Sequence, residues 1–303
     1  MTTHKVNGID LSCDSFGDHN ATAILLIAGL GTQMIRWPVP FCETLVARGY
    51  RVIRFDNRDA GCSSHFTDYP APDFAALATA LAAGQQPSVP YTLHDMASDA
   101  IGLLDALGIE HAHLVGRSMG GMIAQIATSK YPERVRSLTS IMSSTGNPNL
   151  PSASQEVMAM LTHSAPNPLE DEAGFLKHSL AFTRRIASPG YPFDEEAHRA
   201  LILEETRRAD DPTGFGRQLA AIAAAGDLRP LLAKITVPSL IVHGTDDLLV
   251  PAACGKDTAA SIRSSEFMLV DGMGHDLPPS LYQRVADGID RVARRAINTG
   301  THD

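Results

Sequence analysis

The chain has 303 residues, and its 34 acidic against 25 basic side chains give a formal charge of −9. Hydrophobic residues make up 44% and charged residues 19%, the balance of a folded globular chain rather than a disordered one. Without clustered Lys and Arg, this acidic balance excludes a nucleic-acid surface, and no apolar run approaches the roughly 18 residues of a membrane span. The polar start, Met1 to Asp10, lacks the apolar stretch of a signal peptide, so a soluble cytoplasmic protein is expected. Cys13, Cys42, Cys62 and Cys254 are irregularly spaced with no C-x-x-C pair, which predicts reduced thiols in or near the core rather than a zinc site or disulfide framework.

Taken in chain order, Lys5 to Phe16 reads as one or two strands of a hairpin. Ala23 to Ala28 is a continuous apolar run ending at Gly29, as expected of a strand covered on both faces. Pro38 to Arg48 predicts a helix with Pro in its first turn and Gly49 after its end. Arg51 to Asp56 is the next strand, and the Ala-rich Phe74 to Ala83 a short helix. Tyr91 to Leu107 keeps apolar residues at helical spacing, from Leu93 and Met96 to Leu104 and Leu107. Then come a strand at His111 to Gly116, a helix of small residues at Met119 to Ser129, and a strand at Ser137 to Met142.

After Met142 the alternation stops. From Ser143 to Ile235 the predicted elements are helices only: Gln155 to Thr162, Ala173 to Ile186, Glu195 to Ala209 and Phe215 to Ala225. Strands at Ser239 to His243 and Glu266 to Val270 and a closing helix at Pro278 to Ala296 then resume the pattern. Alternating strands and helices predict an α/β fold with a mostly parallel sheet. The implied organisation is a core from residues 1–142 and 236–303 with a helical lid, 143–235, inserted into it.

The segment that carries chemistry is Gly116-Arg117-Ser118-Met119-Gly120, a G-x-S-x-G between an apolar strand and a small-residue helix. A turn that tight strains the serine backbone and leaves no room for side chains two residues to either side, hence Gly116 and Gly120. It lifts the hydroxyl clear of the sheet and sets it at a helix N-terminus, where aligned N–H groups favour a developing negative charge.

A serine hydroxyl is a weak nucleophile and needs a base held by a carboxylate, in the chain order Ser, acid, His. The strand Ser239 to His243 runs into Asp246 and Asp247, either of which would sit at its C-terminal edge. The strand Glu266 to Val270 runs into Asp271-Gly272-Met273-Gly274-His275, a close-turning loop able to bring His275 over Ser118. The only other histidine downstream of Asp247 is His302, in a polar tail, while His243 is expected inside its strand as a core residue. His111 and His113 share a strand without a carboxylate or cysteine partner, so no metal site is expected. Two backbone N–H groups should form an oxyanion hole: that of Met119, after the serine, and that of Leu30, between Gly29 and Gly31 in the loop after the first parallel strand.

These residues resemble the α/β-hydrolase family over essentially the whole chain. The likeness lies in L-L-I-A-G-L-G (Leu25 to Gly31), F-D-N-R-D-A-G-C-S (Phe55 to Ser63), V-G-R-S-M-G-G (Val115 to Gly121), H-G-T-D-D-L-L-V-P (His243 to Pro251) and G-M-G-H (Gly272 to His275). Within the family the chain is most similar to the aclacinomycin methylesterase group, through Trp37-Pro38, Tyr191-Pro192-Phe193-Asp194 and G-M-G-H-D-L-P near the end. The resemblance implies Ser118 as nucleophile, His275 as general base and Asp247, four residues before Pro251, as the orienting acid, with Asp246 the alternative. Leu30 and Met119 become the oxyanion donors. Two positions depart from the family. Ala28-Gly29 replaces a common His-Gly and removes a side-chain anchor from the oxyanion loop, and Asp59 stands where many relatives carry Gly. Asp56 and Arg58 are expected as structural ties of that loop.

The implied activity is a serine carboxylesterase acting on a small-molecule ester through an acyl-enzyme, without metal or organic cofactor. Methyl esters of bulky apolar or aromatic acids are the favoured substrates. A lactonase, a C–C bond hydrolase or a cofactor-free perhydrolase would use the same three residues, and a ligand receptor on a hydrolase fold is the alternative of another class.

Overall fold

The structure is a computed structural model that describes residues 1–209 and 212–299. Its centre is an eight-stranded sheet in the order β1-β2-β4-β3-β5-β6-β7-β8. The strands are β1 (Thr2–Val6), β2 (Ile9–Phe16), β3 (Ala23–Ile27), β4 (Arg51–Phe55), β5 (Ala112–Arg117), β6 (Val135–Ile141), β7 (Ser239–Gly244) and β8 (Ser265–Val270). The β1–β2 and β2–β4 pairings are antiparallel. Every other pairing is parallel. The expected hairpin is present and begins at Thr2. Asn7 and Gly8, at φ 51° and 83°, form its two-residue turn. Left-handed geometry at both positions matches the strand twist, and Asn-Gly tolerates it.

Helices cover both faces: α1 (Val39–Val46), α2 (Phe74–Ala82), α3 (Leu93–Ala106), α4 (Met119–Lys130), α5 (Gln155–Thr162), α6 (Glu172–Ile186), α7 (Glu195–Arg208), α8 (Pro212–Ala225), α9 (Arg229–Leu232), α10 (Ala252–Ser261) and α11 (Tyr282–Thr299). Along β3, Leu25 and Ile27 belong to the core under α3 and α4, whereas Ile24 and Leu26 belong to the core under α1 and α11. That division explains the unbroken apolar run, since each side chain of a doubly covered strand enters one of two cores. Helix α3 starts at a capping box in which Thr92 accepts from Asp95 N–H and Asp95 accepts from Thr92 N–H, an arrangement of about 1 kcal/mol.

Helices α5 to α8 occupy the stretch between β6 and β7 where strand signals vanish, and the short α9 completes it. Helix α7 meets the turn Met34–Arg36 after β3, and α8 meets α2 and α3. Three features differ from the sequence expectation, the short α9 being one of them. The closing helix is preceded by a separate 3-10 turn at Pro279–Leu281. Helix α10 was not foreseen, because its buried residues are Cys254, Gly255 and Thr258, too polar and narrow a stripe to register as amphipathic. All four cysteines are free, with Cys62 half-buried and the rest buried.

Candidate active site

Ser118 lies between β5 and α4 at φ 53° and ψ −124°, a conformation costly for any residue with a side chain. Steric necessity sets the neighbouring glycines. A Cβ on Gly116 would come within 2.0 Å of Gly120 O, and one on Gly120 within 2.2 Å of Ile27 O. Ser118 N–H donates to Ile141 O at 2.9 Å, and Ser143 Oγ donates to Ser118 O at 2.8 Å, so the turn is tied to β6 and the loop after it. Arg117 reaches elsewhere: its Nη1 donates to Arg36 O at 3.0 Å, and its guanidinium lies over Trp37.

The loops after β7 and β8 bring Asp247 and His275 to this serine. His275 Nε2 is 3.0 Å from Ser118 Oγ, and Nδ1 is 2.7 Å from Asp247 Oδ2. Both side chains are buried. Asp247 Oδ1 accepts the backbone N–H of Leu249 and Val250 at 3.0 and 2.8 Å. Burial alone would raise the Asp247 pKa. The facing charge of His275, the nearby His243 ring and hydrogen bonds from His275 and Val250 N–H outweigh it and hold the carboxyl well below its usual range. Asp246 is exposed and takes the Thr245 hydroxyl, so Asp247 is the carboxylate that meets the imidazole. His302 lies outside the described residues.

Several supporting residues escaped the sequence reading. His243 is buried as expected, yet its Nε2 donates to Val250 O at 2.7 Å and stands 3.5 Å from Asp247 Oδ2, bracing the loop that carries the carboxylate. The i, i+4 spacing of His243 and Asp247 across a strand end was the available signal. Gly255 on α10 gives the ring its room, since a Cβ there would lie 2.4 Å from His243 Nδ1. The His275 loop is fastened to the end of α6: His275 N–H donates to Ile186 O at 2.7 Å, and Gly274 N–H to Ser188 Oγ at 2.8 Å. Ser188 also bonds Asp276 through its N–H, at 2.8 Å, and its hydroxyl.

The loop after β3 passes against the serine, with a Cβ on Gly29 falling 3.3 Å from Ser118 Cβ. Among the described residues, neither Leu30 N–H nor Met119 N–H has a protein acceptor. Asp56 and Arg58 tie the neighbouring loop, as expected. Asp56 accepts from Met34 N–H, Cys62 N–H and Arg208, and Arg58 forms a two-bond pair with Asp99. Asp59 sits at φ 62°, which explains a glycine-like position occupied by Asp, a residue that tolerates left-handed backbone. A cleft of about 780 Å³ runs from Leu30 and Gly31 to Met160, Phe175 and Phe182 of α5 and α6. Its volume suits a drug-sized ligand. Ser118 is not among the residues of its wall, whereas Leu30, which follows Gly29 against the serine, is.

A serine on a strained strand-to-helix turn, with histidine and carboxylate brought from loops after later strands of a mostly parallel sheet, defines an α/β hydrolase. The family model for the alpha/beta hydrolase fold matches residues 22–278, and the chain belongs to that family. It is therefore a hydrolase of α/β fold. Two curated relatives are the rhodomycin D methylesterases DnrP of Streptomyces peucetius and DauP of Streptomyces sp. (strain C5). Each is 28% identical to this chain, with 95% of this chain and 96% of the relative covered. These two match the methylesterase resemblance read from the sequence. Among solved structures, the enol-lactonase from Burkholderia xenovorans LB400 superposes with a TM-score of 0.70 at 24% identity, over 98% of this chain and 100% of its own, a likeness of fold.

Proposed function

We propose that the protein is a serine carboxylesterase that acts on small-molecule esters through an acyl-enzyme. The observation that carries this reading is the unbroken hydrogen-bond path Asp247–His275–Ser118, at 2.7 and 3.0 Å, ending on a serine held in a strained turn. Ser118 Oγ attacks the ester carbonyl while His275 Nε2 takes its proton. Asp247 keeps the Nδ1 proton in place and stabilises the imidazolium. The N–H groups of Leu30 and Met119 receive the oxyanion, a contribution of about 3–4 kcal/mol per donor in comparable sites. Collapse of the tetrahedral intermediate breaks the ester C–O bond, and His275 protonates the departing alcohol. A water then repeats the sequence on the acyl-enzyme, with His275 as its base, and frees the acid.

The methylesterase relatives and the cleft support esters of bulky apolar or aromatic acids, methyl esters foremost. In this reading residues 143–235 form a cap whose helices α5 and α6 receive the bulky group, with Met160, Phe175 and Phe182 as apolar contacts. No metal or organic cofactor takes part in the proposed steps.

A fluorophosphonate probe tests the reading. One covalent adduct is expected on the peptide containing Ser118, together with loss of nitrophenyl-ester turnover. An adduct on another residue, or undiminished turnover in Ser118→Ala, would refute it. A panel of esters graded by acyl and alcohol size then ranks methyl esters of bulky acids above long-chain alkyl esters.

A further inference from the structure

We propose that Gln218, on helix α8 of the inserted block, is a positioning residue that holds the oxyanion loop in its working conformation. This inference rests on the esterase reading and adds the device that orients its Leu30 donor. The family's side-chain anchor before the loop is absent, because Ala28 precedes Gly29. Gln218 is fully buried and reaches the loop from 187 residues further along the chain. Its Oε1 accepts Gly31 N–H at 2.8 Å, and its Nε2 donates to Arg58 O at 2.8 Å. A backbone donor on one side and a backbone carbonyl on the other fix which way the amide faces. Among side chains of this length, only a carboxamide both accepts and donates without carrying a charge.

The backbone geometry shows what this bond controls. Thr32 N–H and Thr32 Oγ1 both donate to Gly29 O, at 3.3 and 3.0 Å. Those bonds fix the peptide plane that contains Leu30 N–H. Gln218 fixes the next plane, between Leu30 and Gly31. Leu30 N–H, between these two held planes, has no protein acceptor among the described residues. Glycine on either side of Leu30 would let these planes rotate at little cost if they were not held. Helix α8 grips the same place twice more. Phe215 fills the space a Gly31 side chain would need, with Cδ2 2.6 Å from a Cβ built there. Arg217 binds both oxygens of Asp59 at 2.7 and 2.8 Å, next to the Arg58 carbonyl that Gln218 uses. The inserted helices therefore act on the chemistry as well as on the shape of the cleft, since one of them sets the donor for the oxyanion.

The test compares Gln218→Met, which removes both bonds at similar volume, with Gln218→Glu, which keeps an acceptor for Gly31. For Gln218→Met, kcat on a nitrophenyl ester should fall roughly 10- to 100-fold while KM moves less than about threefold. Affinity for an arylboronic acid, whose adduct on Ser118 mimics the tetrahedral intermediate, should fall by a similar factor. Affinity for the unreactive amide analogue of the ester should stay near wild type. Gln218→Glu, which keeps the acceptor for Gly31 but sets a second oxygen against Arg58 O, should recover only part of kcat. A wild-type kcat in Gln218→Met, a proportional loss of amide binding, or a Gln218→Glu as impaired as Gln218→Met would overturn the inference. Should Gln218→Met fail to fold, Gln218→Asn, which withdraws the amide from Gly31 by one carbon, replaces it under the same criteria. Turnover that survives Ser118→Ala would sink the esterase reading itself, whereas Ser118-dependent turnover with a wild-type kcat in Gln218→Met sinks this inference alone.

Discussion

The turn that carries Ser118 and the loops that surround it are built by different forces. At the turn, contacts are steric and local: Gly116 meets Gly120 and Gly120 meets the end of β3, at distances no Cβ could survive. Around it, contacts are polar and distant. The His275 loop hangs from Ile186 and Ser188, and the β3 loop from Gln218 and Glu205, all between β6 and β7. Arg36 and Glu205 form a two-bond pair at 2.6 and 2.8 Å, and Arg208 and Arg217 reach Asp56 and Asp59. The difference teaches that the serine is placed by backbone sterics within one motif, whereas the His275 loop and the β3 loop are held by polar bonds to the segment between β6 and β7.

Three substitutions press on that division, in descending order of effect. Asp247→Asn keeps the shape of the site but lets the imidazole adopt the wrong tautomer, so kcat on a nitrophenyl ester should fall by about 10⁴-fold. Steady-state kinetics with unchanged far-UV dichroism checks it, and a loss under tenfold would separate Asp247 from the chemistry. Arg217→Met acts on the polar side. It removes the cation paired with the buried Asp59 carboxylate, leaving it, among the described residues, only the Tyr91 hydroxyl and Phe66 N–H, and should cost about 3 kcal/mol in urea unfolding. Ester turnover should weaken as well, since Gln218 is the next residue. An effect on stability without one on turnover would mean that the two regions are independent. His113 concerns the sheet alone. Burial, with Arg136 nearby, holds its pKa down to about 4 from 6.5, and its Nδ1 meets Ser137 Oγ at 2.8 Å. As pH falls below 6.5 the unfolded chain takes up this proton before the folded one does. The resulting loss of stability, about 3 kcal/mol in all, should be spread between pH 6.5 and about 4 and be missing from His113→Leu. Urea midpoints across that range measure it, and a parallel pH slope in the variant would contradict it.

The same division separates what was legible in the sequence from what was not. G-x-S-x-G encloses its own explanation, because every atom that shapes the turn lies within a few residues or at the end of the adjoining strand. The doubly buried β3 and the amphipathic α3 were equally plain, since burial on two faces or one leaves a period in the residues. Asp59 was visible as an oddity, but its reason, a left-handed backbone whose carboxylate pairs with Arg217, depends on a residue 158 positions away. Gln218 carried no signal at all: one glutamine inside an Ala-rich helix reads as a side chain turned to solvent until the fold brings Gly31 beside it. His243 read as core, and is core, yet it also braces the carboxylate loop. Helix α10 was hidden because its inward face is shaped around that histidine by Gly255 rather than filled with apolar bulk.

The most direct measurement is a cycle of Ser118→Ala, His275→Ala and the double variant, read as kcat on a nitrophenyl ester. If hydroxyl and imidazole work as one unit, either single change should cost nearly as much as both together, on the order of 10⁴-fold or more. Losses that multiply in the double variant would mean that the two side chains act separately, and would contradict the account.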